Sequence, residues 1–329
     1  MMRFNEFLMF LRLLKKTNYF FTFALLAATP VNVSADTSPL GMVTGQKTGT
    51  YFIFGQNMAQ AAKKAGMDVE TRPSEGSINN IKRINSKENA AIAIVQSDVL
   101  GFLGRSKNPD SIHIANNLRI IFPFYNEEIH VFAKNEIKDF NDLNGKKVAI
   151  GEDESGSMLT AINLFSIMNV TPSQTLKIPS AQGVVSVLKG DIDAIIFVGG
   201  KPVRLFKNLE DLSLPENQKY GAMLAKSHFI PMDSPKMLEE YKPAKITHLD
   251  YSFVNDDVPT IAVPAILISY DFSDHKNQGR CKQIGKLAKI IRSSLPSFKI
   301  SGHPKWKEVD LDAKINGWKK DKCVWDAEK

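Results

Sequence analysis

The most informative stretch of this chain lies at residues 43–65 and reads VTGQKTGTYFIFGQNMAQAAKKA. An apolar run at residues 40–43 passes through a loop rich in glycine and threonine directly into a helical pattern. Gly45, Gly49 and Gly55 allow a sharp turn, and the first amides of the helix have no partner inside it. A helix start of this kind attracts anions. The spacing is neither G-x-G-x-x-G nor that of a P-loop, so the stretch alone identifies no nucleotide site.

The composition is that of an ordinary globular protein. Hydrophobic residues make up 43% and charged residues 23% of the 329 residues, which excludes extensive disorder. At roughly 100 to 200 residues per domain, the length allows two lobes with separate cores.

The first 35 residues have the features of a secretory signal peptide. Basic residues precede an apolar run at residues 19–28, and Val33 and Ala35 are small residues at the positions expected before a cleavage site. The alternative, a retained membrane anchor, would need about 20 apolar residues. Removal of this segment takes away four Lys/Arg and one Glu, which lowers the net charge from +7 to +4. The basic composition therefore does not indicate nucleic-acid binding, and no basic run with interleaved aromatics is present.

The chain has only two cysteines, Cys281 and Cys323. An even number in an exported chain predicts a disulfide between them, and two separate buried thiols are the alternative. The bond would tie the tail, which holds all three tryptophans, to the last predicted helix at residues 278–294.

Short apolar runs alternate with helical patterns from residue 36 onward, which is typical of parallel sheets with crossover helices. Five predicted strands end in small polar residues and lead into a helix. Open α/β sheets bind ligands at such carboxyl ends. Three junctions precede residue 100 and two follow residue 150, so we expect two sheets facing each other across a cleft. The five loops lie at residues 44–49, 73–77, 96–98, 151–157 and 199–202.

Two longer apolar runs are interpreted as the connections between the lobes. Residues 118–133 read LRIIFPFYNEEIHVFA, and residues 258–270 read VPTIAVPAILISY with two prolines that suit an edge strand. We expect the lobes to move about residues 128–133 and 260–266. The predicted domains are the signal peptide at 1–35, the first part of lobe I at 36–130, lobe II at 131–245, and a return to lobe I with the C-terminal helix and tail at 246–329.

No catalytic or metal-binding pattern stands out. The six histidines are scattered, without H-E-x-x-H or a Cys/His spacing that would hold zinc. Ser157 lies in ESGS rather than G-x-S-x-G, and the sequence places no histidine as its base. We therefore predict no cofactor, no metal and no enzymatic activity; a secreted enzyme that uses Ser157 or Glu75 is the alternative. The acidic residues 152–154 are interpreted as a solvated loop, with cation binding as the alternative.

Seven short motifs follow one another in a characteristic order. They are GQKTGTYF at 45–52, EGSINNI at 75–81, AIVQSD at 93–98, FYNEEIHVF at 124–132, DLNGKKVAIGEDESGS at 142–157, DIDAIIFVGGKP at 191–202 and DVPTIAV at 257–263. Together they resemble the TAXI-type receptors, which are the extracytoplasmic solute-binding subunits of TRAP (tripartite ATP-independent periplasmic) transporters. The resemblance covers nearly all of the mature chain.

The resemblance implies an α/β, two-lobed periplasmic-binding-protein-like fold of type II, with mostly parallel sheets and a two-strand hinge. It implies that a small organic anion, such as glutamate or a related dicarboxylate, binds between the lobes. The ligand would be delivered to the integral membrane subunits of a TRAP transporter. A receptor of the same fold that serves a sensor or an ATP-driven permease is the alternative. We expect a monomeric periplasmic protein.

Matched position by position, the resemblance implies ligand-binding residues in all five loops, with Tyr51 and Tyr125 as aromatic walls. The chain departs from the family at residues 152–154, where proline and glycine are common, and at Lys201, where an apolar residue is common. The implied set is Gly49, Thr50, Tyr51, Gly76, Ser77, Asn80, Gln96, Tyr125, Ser155, Gly156, Ser157, Gly199 and Gly200.

A full cation would strengthen an anion site built from helix starts, because each start carries only a partial charge. Lys201, directly after Gly200, is placed to supply this cation, and Lys47 is a second candidate. The alternative is that Lys201 faces solvent. If the ligand carries an amine, Glu75 or the acidic residues 152–154 are its predicted partners.

We predict that the exported protein begins at or near Asp36, because the small residues Val33 and Ala35 precede that position. The intact mass of the protein recovered from the exported fraction measures this directly. A species in that fraction that retains residues 1–35 would contradict the extracytoplasmic interpretation.

Overall fold

The computed structural model describes residues 38–86, 90–214 and 217–328. The predicted signal peptide at 1–35 and its cleavage site lie outside the described residues. Within these ranges, no helix is both long enough and apolar enough to cross a membrane.

In the part of the chain that the structure describes, ten strands form one continuous sheet. The strand β3 (IAIVQ) is buried at every position, as expected for a strand covered on both faces. The edge strand β2 (VETR) has no fully buried residue. The strands are β1 Leu40–Val43, β2 Val69–Arg72, β3 Ile92–Gln96, β4 Leu118–Lys134, β5 Lys147–Ala149, β6 Gln174–Leu176, β7 Ala194–Gly199, β8 Ser227–Phe229, β9 Lys242–Ile246 and β10 Val258–Tyr270.

Helices connect the strands and cover the sheet. In α1 the buried residues Tyr51, Phe54, Met58 and Ala62 are three or four positions apart and form the apolar face that packs inward. The α-helices are α1 Thr50–Lys64, α2 Ser77–Asn85, α3 Ser97–Arg105, α4 Pro109–Asn117, α5 Gly156–Met168, α6 Ser180–Lys189, α7 Arg204–Lys207, α8 Gln218–Leu224, α9 Pro235–Leu238, α10 Gln278–Ser301 and α11 Lys322–Glu328. Short 3₁₀ helices lie at Phe140–Leu143, Asn208–Ser213, His275–Asn277 and Pro304–Glu308.

The strand order is β2-β1-β3-β10-β4-β7-β5-β6, with β8 paired to β4 and β9 paired to β10. At one end β1, β2 and β3 are parallel to one another, and at the other end β5, β6 and β7 are parallel. The two long strands β4 and β10 insert antiparallel between these groups. The predicted two-lobed α/β fold of type II is therefore confirmed.

The long strands belong to both lobes. The second half of β10 pairs with β3 of the first lobe, whereas its first half pairs with β9. Similarly, β4 pairs with β10 up to Glu128 and with β7 of the second lobe from Glu128 to Ala133. The predicted hinge ranges fall on these crossings, and the domain boundaries remain predictions.

The tail of the chain is fastened to the first lobe. Trp306 is fully buried, and its ring stacks on that of Phe54 in α1 with 4.1 Å between the ring centroids. The predicted disulfide is present and joins Cys281 in α10 to Cys323 in α11. It closes a loop with a sequence separation of 42 residues.

We expect the double substitution Cys281→Ser/Cys323→Ser to lower the free energy of unfolding by about 4 kcal/mol, because the unfolded chain regains the entropy of a loop of this length. Urea denaturation followed by tryptophan fluorescence measures the change. The unsubstituted protein with reductant is the control and should lose a similar amount. Equal stability of the oxidised and doubly substituted proteins would contradict the prediction.

Candidate functional site

The cleft between the lobes contains a cavity of about 100 Å³, which is large enough for several water molecules or a small ligand. Its walls come from loops at the carboxyl ends of strands in both lobes, as expected for an α/β sheet. The lining residues are Gly45, Gln46, Gly49, Thr50, Tyr51, Glu75, Gly76, Ser77, Gln96, Glu127, Gly151, Glu152, Ser155, Gly156, Ser157, Ser180, Phe197, Val198, Gly199 and Val203.

All five predicted loops contribute to this cavity, so the structure brings together residues as far apart in the chain as Gly45 and Gly199. Ten of the fourteen predicted positions lie in its wall, while four lie elsewhere. The ten are Gly49, Thr50, Tyr51, Gly76, Ser77, Gln96, Ser155, Gly156, Ser157 and Gly199.

Two of the other predicted residues lie in the core of the first lobe. Asn80 is fully buried, and its amide donates hydrogen bonds to the backbone oxygens of Thr44 and Ile94. Tyr125 is buried against Phe54, with 4.5 Å between the ring centroids, and its hydroxyl has no partner within the described residues. Asn80 therefore joins strand ends together, and Tyr125 packs beneath the site instead of forming its wall.

Gly200 and Lys201 also lie outside the lining. The carbonyl oxygen of Gly200 accepts a hydrogen bond of 3.3 Å from Thr50 Oγ1 of the opposite lobe. The ammonium group of Lys201 contacts Asp250 Oδ2 at 2.8 Å and the carbonyl oxygen of Lys245 at 2.6 Å. Lys201 thus lies outside the cavity lining, and its half-buried ammonium group is held by the carboxylate of Asp250. Lys47 is absent from the lining as well.

Hydroxyl groups in the wall are held in fixed positions by backbone amides. Ser155 Oγ accepts from the amide of Met158 at 3.1 Å, Ser157 Oγ from that of Val198 at 3.0 Å, and Ser77 Oγ from that of Gln96 at 3.1 Å. A hydroxyl oxygen that accepts a hydrogen bond still carries a hydrogen to donate. Ser155 and Ser157 are therefore oriented donors, whereas the hydroxyl of Ser77 already donates to Gln96 Oε1 at 3.4 Å.

The charge of the lining is negative. Glu75, Glu127 and Glu152 contribute carboxyl groups, and among the described residues no lysine, arginine or histidine belongs to the lining. Glu152 accepts from the side chain of Gln46 across the cleft. Partial burial and the neighbouring Glu75 raise its pKa. The excess of carboxyl groups in the lining was not predicted from the sequence, although Glu75 and residues 152–154 were named as potential amine partners.

Glu127 is the least expected member of the site. It lies on β4 where this strand passes between the lobes, and only 3% of it is exposed. Tyr51 OH donates to Glu127 Oε2 at 2.6 Å. Burial raises the pKa of Glu127 to about 8. Two adjacent glutamates inside a long apolar strand are the sequence signal for it, since carboxylates are rarely buried without a functional or structural reason.

Glu128, the next residue, is neutralised on the other face of the strand. Its Oε1 lies 2.7 Å from the ammonium nitrogen of Lys305, and its Oε2 accepts from the amide of Lys201 at 3.0 Å. Lys305 also contacts both carboxyl oxygens of Glu308. The lysine nearest to Glu127 is therefore already bound by two other carboxylates.

The lobes touch directly beside the cavity through Glu154. Its carbonyl oxygen accepts from the amides of Ile78 and Asn79, which are the first amides of α2, at 3.1 Å each. Its carboxylate binds Asn79 Nδ2 at 2.8 Å and Lys82 Nζ at 3.0 Å. Glu154 has a positive φ of 64°, a backbone conformation that only a few per cent of non-glycine residues adopt. Glu154 therefore joins the two lobes through both its backbone and its side chain.

A second set of contacts between the lobes lies behind the cavity. Gln96 Nε2 donates to Thr160 Oγ1 at 3.2 Å, and Thr160 Oγ1 donates to Asp98 Oδ2 at 2.6 Å. Tyr241 OH also donates to Asp98 Oδ2, at 3.3 Å. Burial raises the pKa of Asp98. The structure thus shows the cleft in a closed conformation.

Two glycines allow the loops to approach this closely. Gly76 has a φ of 123°, and Gly156 of the second lobe lies directly opposite it. A Cβ atom added to Gly156 would lie 1.4 Å from Gln96 Oε1 and 2.9 Å from Ser77 Oγ. A Cβ atom at residue 156 would therefore displace the side chain of Gln96 from the position it holds in this closed arrangement.

Across the described residues, no group of three or more His, Cys, Asp or Glu side chains is arranged to hold a metal ion. Ser157, the candidate nucleophile of the enzymatic alternative, contacts the amide of Val198, and no histidine lines the cavity beside it.

Comparison with known proteins identifies a family. Residues 42–316 match the NMT1-like family. Solved structures with similar folds include the substrate binding protein of an amino acid ABC transporter, with 13% identity, 78% of this chain and 94% of that chain covered and a TM-score of 0.43. An arginine transport system periplasmic binding protein from Legionella pneumophila has 10% identity, coverage of 79% and 96%, and a TM-score of 0.46. The GluR0 ligand binding core in complex with L-glutamate has 12% identity, coverage of 82% and 97%, and a TM-score of 0.46. Similarity at this level does not identify a ligand for this chain.

We expect Gly156→Ala to prevent full closure, because the added methyl group collides with Gln96 of the opposite lobe. The amides of Ile78 and Asn79 then lose the carbonyl oxygen of Glu154, and their hydrogen exchange should accelerate about tenfold or more, which corresponds to hydrogen bonds of about 1 kcal/mol each. Hydrogen exchange read by NMR or mass spectrometry measures this.

Gly104→Ala in α3 is the matched control, because its added Cβ would make only an ordinary contact of 3.7 Å with Trp318. It should leave exchange at residues 78 and 79 unchanged. Unchanged protection in Gly156→Ala would show that the closed contacts do not depend on this glycine.

Proposed function

The chain belongs to the NMT1-like family, and we propose that it is an extracytoplasmic solute-binding receptor. In this proposal the lobes close on a small organic anion such as glutamate or a related dicarboxylate. The observation that carries the proposal is the cavity itself, which is lined by all five predicted loops and lies between lobes joined through two shared strands. A cleft of this kind suits reversible capture of a ligand.

The donors of the lining support the carboxylate part of the ligand. The amides of Thr50, Tyr51, Gly156 and Ser157 belong to the first turns of α1 and α5 and have no acceptor inside their own helices. Such amides, together with oriented serine hydroxyls, favour negatively charged oxygens. Gln96, buried in the lining, offers a further polar contact. We assign this role to the ten lining positions and no longer to Asn80, Tyr125, Gly200 or Lys201.

Closure would occur about residues 128–133 and 260–266. In support, β4 exchanges β10 for β7 as its partner at Glu128. In β10, the partner changes from β9, which pairs as far as Ala262, to β3, which pairs from Ala265. Bending at these two positions would separate the lobes while keeping the pairing within each lobe.

The partner in this proposal is the membrane part of a TRAP transporter of the TAXI type. The seven ordered motifs between residues 45 and 263 support it. The signal-peptide pattern at residues 1–35 supports a periplasmic location for the mature, monomeric protein. Binding rather than catalysis is favoured because Ser157 has no histidine beside it in the lining.

We expect one molecule of a small organic anion to bind per chain and to raise the thermal midpoint. At a ligand concentration 100 times Kd the stabilisation should reach about 2.7 kcal/mol. Native mass spectrometry of the purified protein, followed by calorimetric titration with glutamate, 2-oxoglutarate and succinate, tests this. Glycerol serves as the uncharged control.

Weaker binding to Gly156→Ala than to Gly104→Ala would connect affinity to closure of the cleft. If no small molecule is retained in native spectra and none of the three anions shifts the midpoint, the receptor proposal is wrong.

A further inference from the structure

We propose that Glu127, supported by Tyr51, anchors a cationic nitrogen of the ligand, so that the natural ligand is an amino acid rather than a nitrogen-free dicarboxylate. This inference rests on the proposed receptor function and narrows its ligand class. It assigns to Glu127 a specificity-determining contact with the ligand.

The first argument is the position of Glu127. Its carboxyl group lines the cavity although only 3% of the residue is exposed. Within the described residues, its hydrogen bond comes from Tyr51 OH to Oε2. A hydroxyl can orient a carboxylate but cannot neutralise it. The group is therefore held in place and directed at the space where a ligand lies.

The second argument is the charge around Glu127. Lys305 is the nearby cation, but Glu128 and Glu308 already bind its ammonium group at 2.7 Å each. The other titratable groups around the carboxyl carry negative charge or none. They are Tyr51 on α1, Tyr125 and Glu128 on β4, Asp98 on α3, and Glu75 and Glu152 across the cavity. No cation of the described lining pairs with Glu127.

A buried carboxylate without a cation is strongly unfavourable, so it either binds a proton or pairs with a charge from outside. Burial raises the pKa of Glu127 to about 8, so the group carries a proton at neutral pH. An ammonium group on the ligand would displace that proton and form a charge-assisted hydrogen bond. A dicarboxylate without nitrogen would add negative charge beside three carboxyl groups.

The test uses two matched pairs of ligands that differ in an amine and an oxo group, namely L-glutamate with 2-oxoglutarate and L-alanine with pyruvate. Calorimetry in buffers of different ionisation enthalpy reports the protons released per ligand. We expect an amino acid to bind more tightly than its oxo acid, with close to one proton released at about pH 7. Its affinity should rise about tenfold per pH unit between about pH 6 and 7.5, because binding requires the ionised carboxylate.

Glu127→Gln keeps the size of the side chain but removes its charge. It should lower the affinity for the amino acid by about tenfold to a hundredfold and abolish the proton release. The affinity for the oxo acid should stay unchanged or rise. Glu136→Gln is the matched control, because Glu136 is exposed and does not belong to the cavity lining. It should change affinity by less than about threefold and keep the proton release. Tyr51→Phe should shift the pH profile upward, because its hydroxyl lowers the pKa of Glu127.

The outcomes separate the two proposals. If an oxo acid or succinate binds as tightly as the amino acid, or if Glu127→Gln leaves selectivity and proton release unchanged, the anchor is wrong and the receptor function stands. If no probe binds and native spectra show no retained molecule, both are wrong. An identified natural ligand without an ionisable nitrogen would also overturn the anchor.

Discussion

The antiparallel pair of long strands, β4 and β10, is the constraint on which the rest of the structure depends. Backbone groups on both edges of a buried strand need hydrogen-bond partners, and these two strands find theirs in different lobes along their length. The lobes are thereby joined through a shared sheet while each keeps its own group of parallel strands. The cavity lies beside this pair of strands, and Glu127 of β4 contributes to its lining.

The two adjacent glutamates at this crossing have different partners, because successive side chains of a strand point to opposite faces. Glu128 meets Lys305, which the C-terminal tail brings to the strand through the packing of Trp306 on Phe54. Glu127 meets Tyr51 and the cavity. The tail thus supplies the cation that pairs with Glu128 and also covers the first lobe. The disulfide between Cys281 and Cys323 joins the end of this tail to α10.

Closure of the cleft uses some of the groups that an anion site would use. The first amides of α2 bind the carbonyl oxygen of Glu154 in the opposite lobe, and the Gly76 and Gly156 loops come close enough to touch. The amides of Ile78 and Asn79 are therefore satisfied by the protein and are not available to a ligand in this conformation. Contacts of this kind favour the closed state. A ligand shifts the equilibrium between the open and closed states further, but only by the difference between its binding free energies for the two states.

The alternation of strands and helices, the five polar junctions and the two long strands are predictable from the sequence, because local periodicity and the residues that end strands are short-range properties of the chain. The disulfide is predictable for a different reason, since an exported chain with only two cysteines offers a single pairing. The sequence also indicated ten of the residues that line the cavity. Tertiary structure alone decided that Lys201 pairs with Asp250, that Asn80 and Tyr125 lie in the core, and that Glu127 faces the cavity. The physical reason is that the direction and charge balance of a side chain depend on partners far away in sequence, such as Asp250 for Lys201 and Lys305 for Glu128.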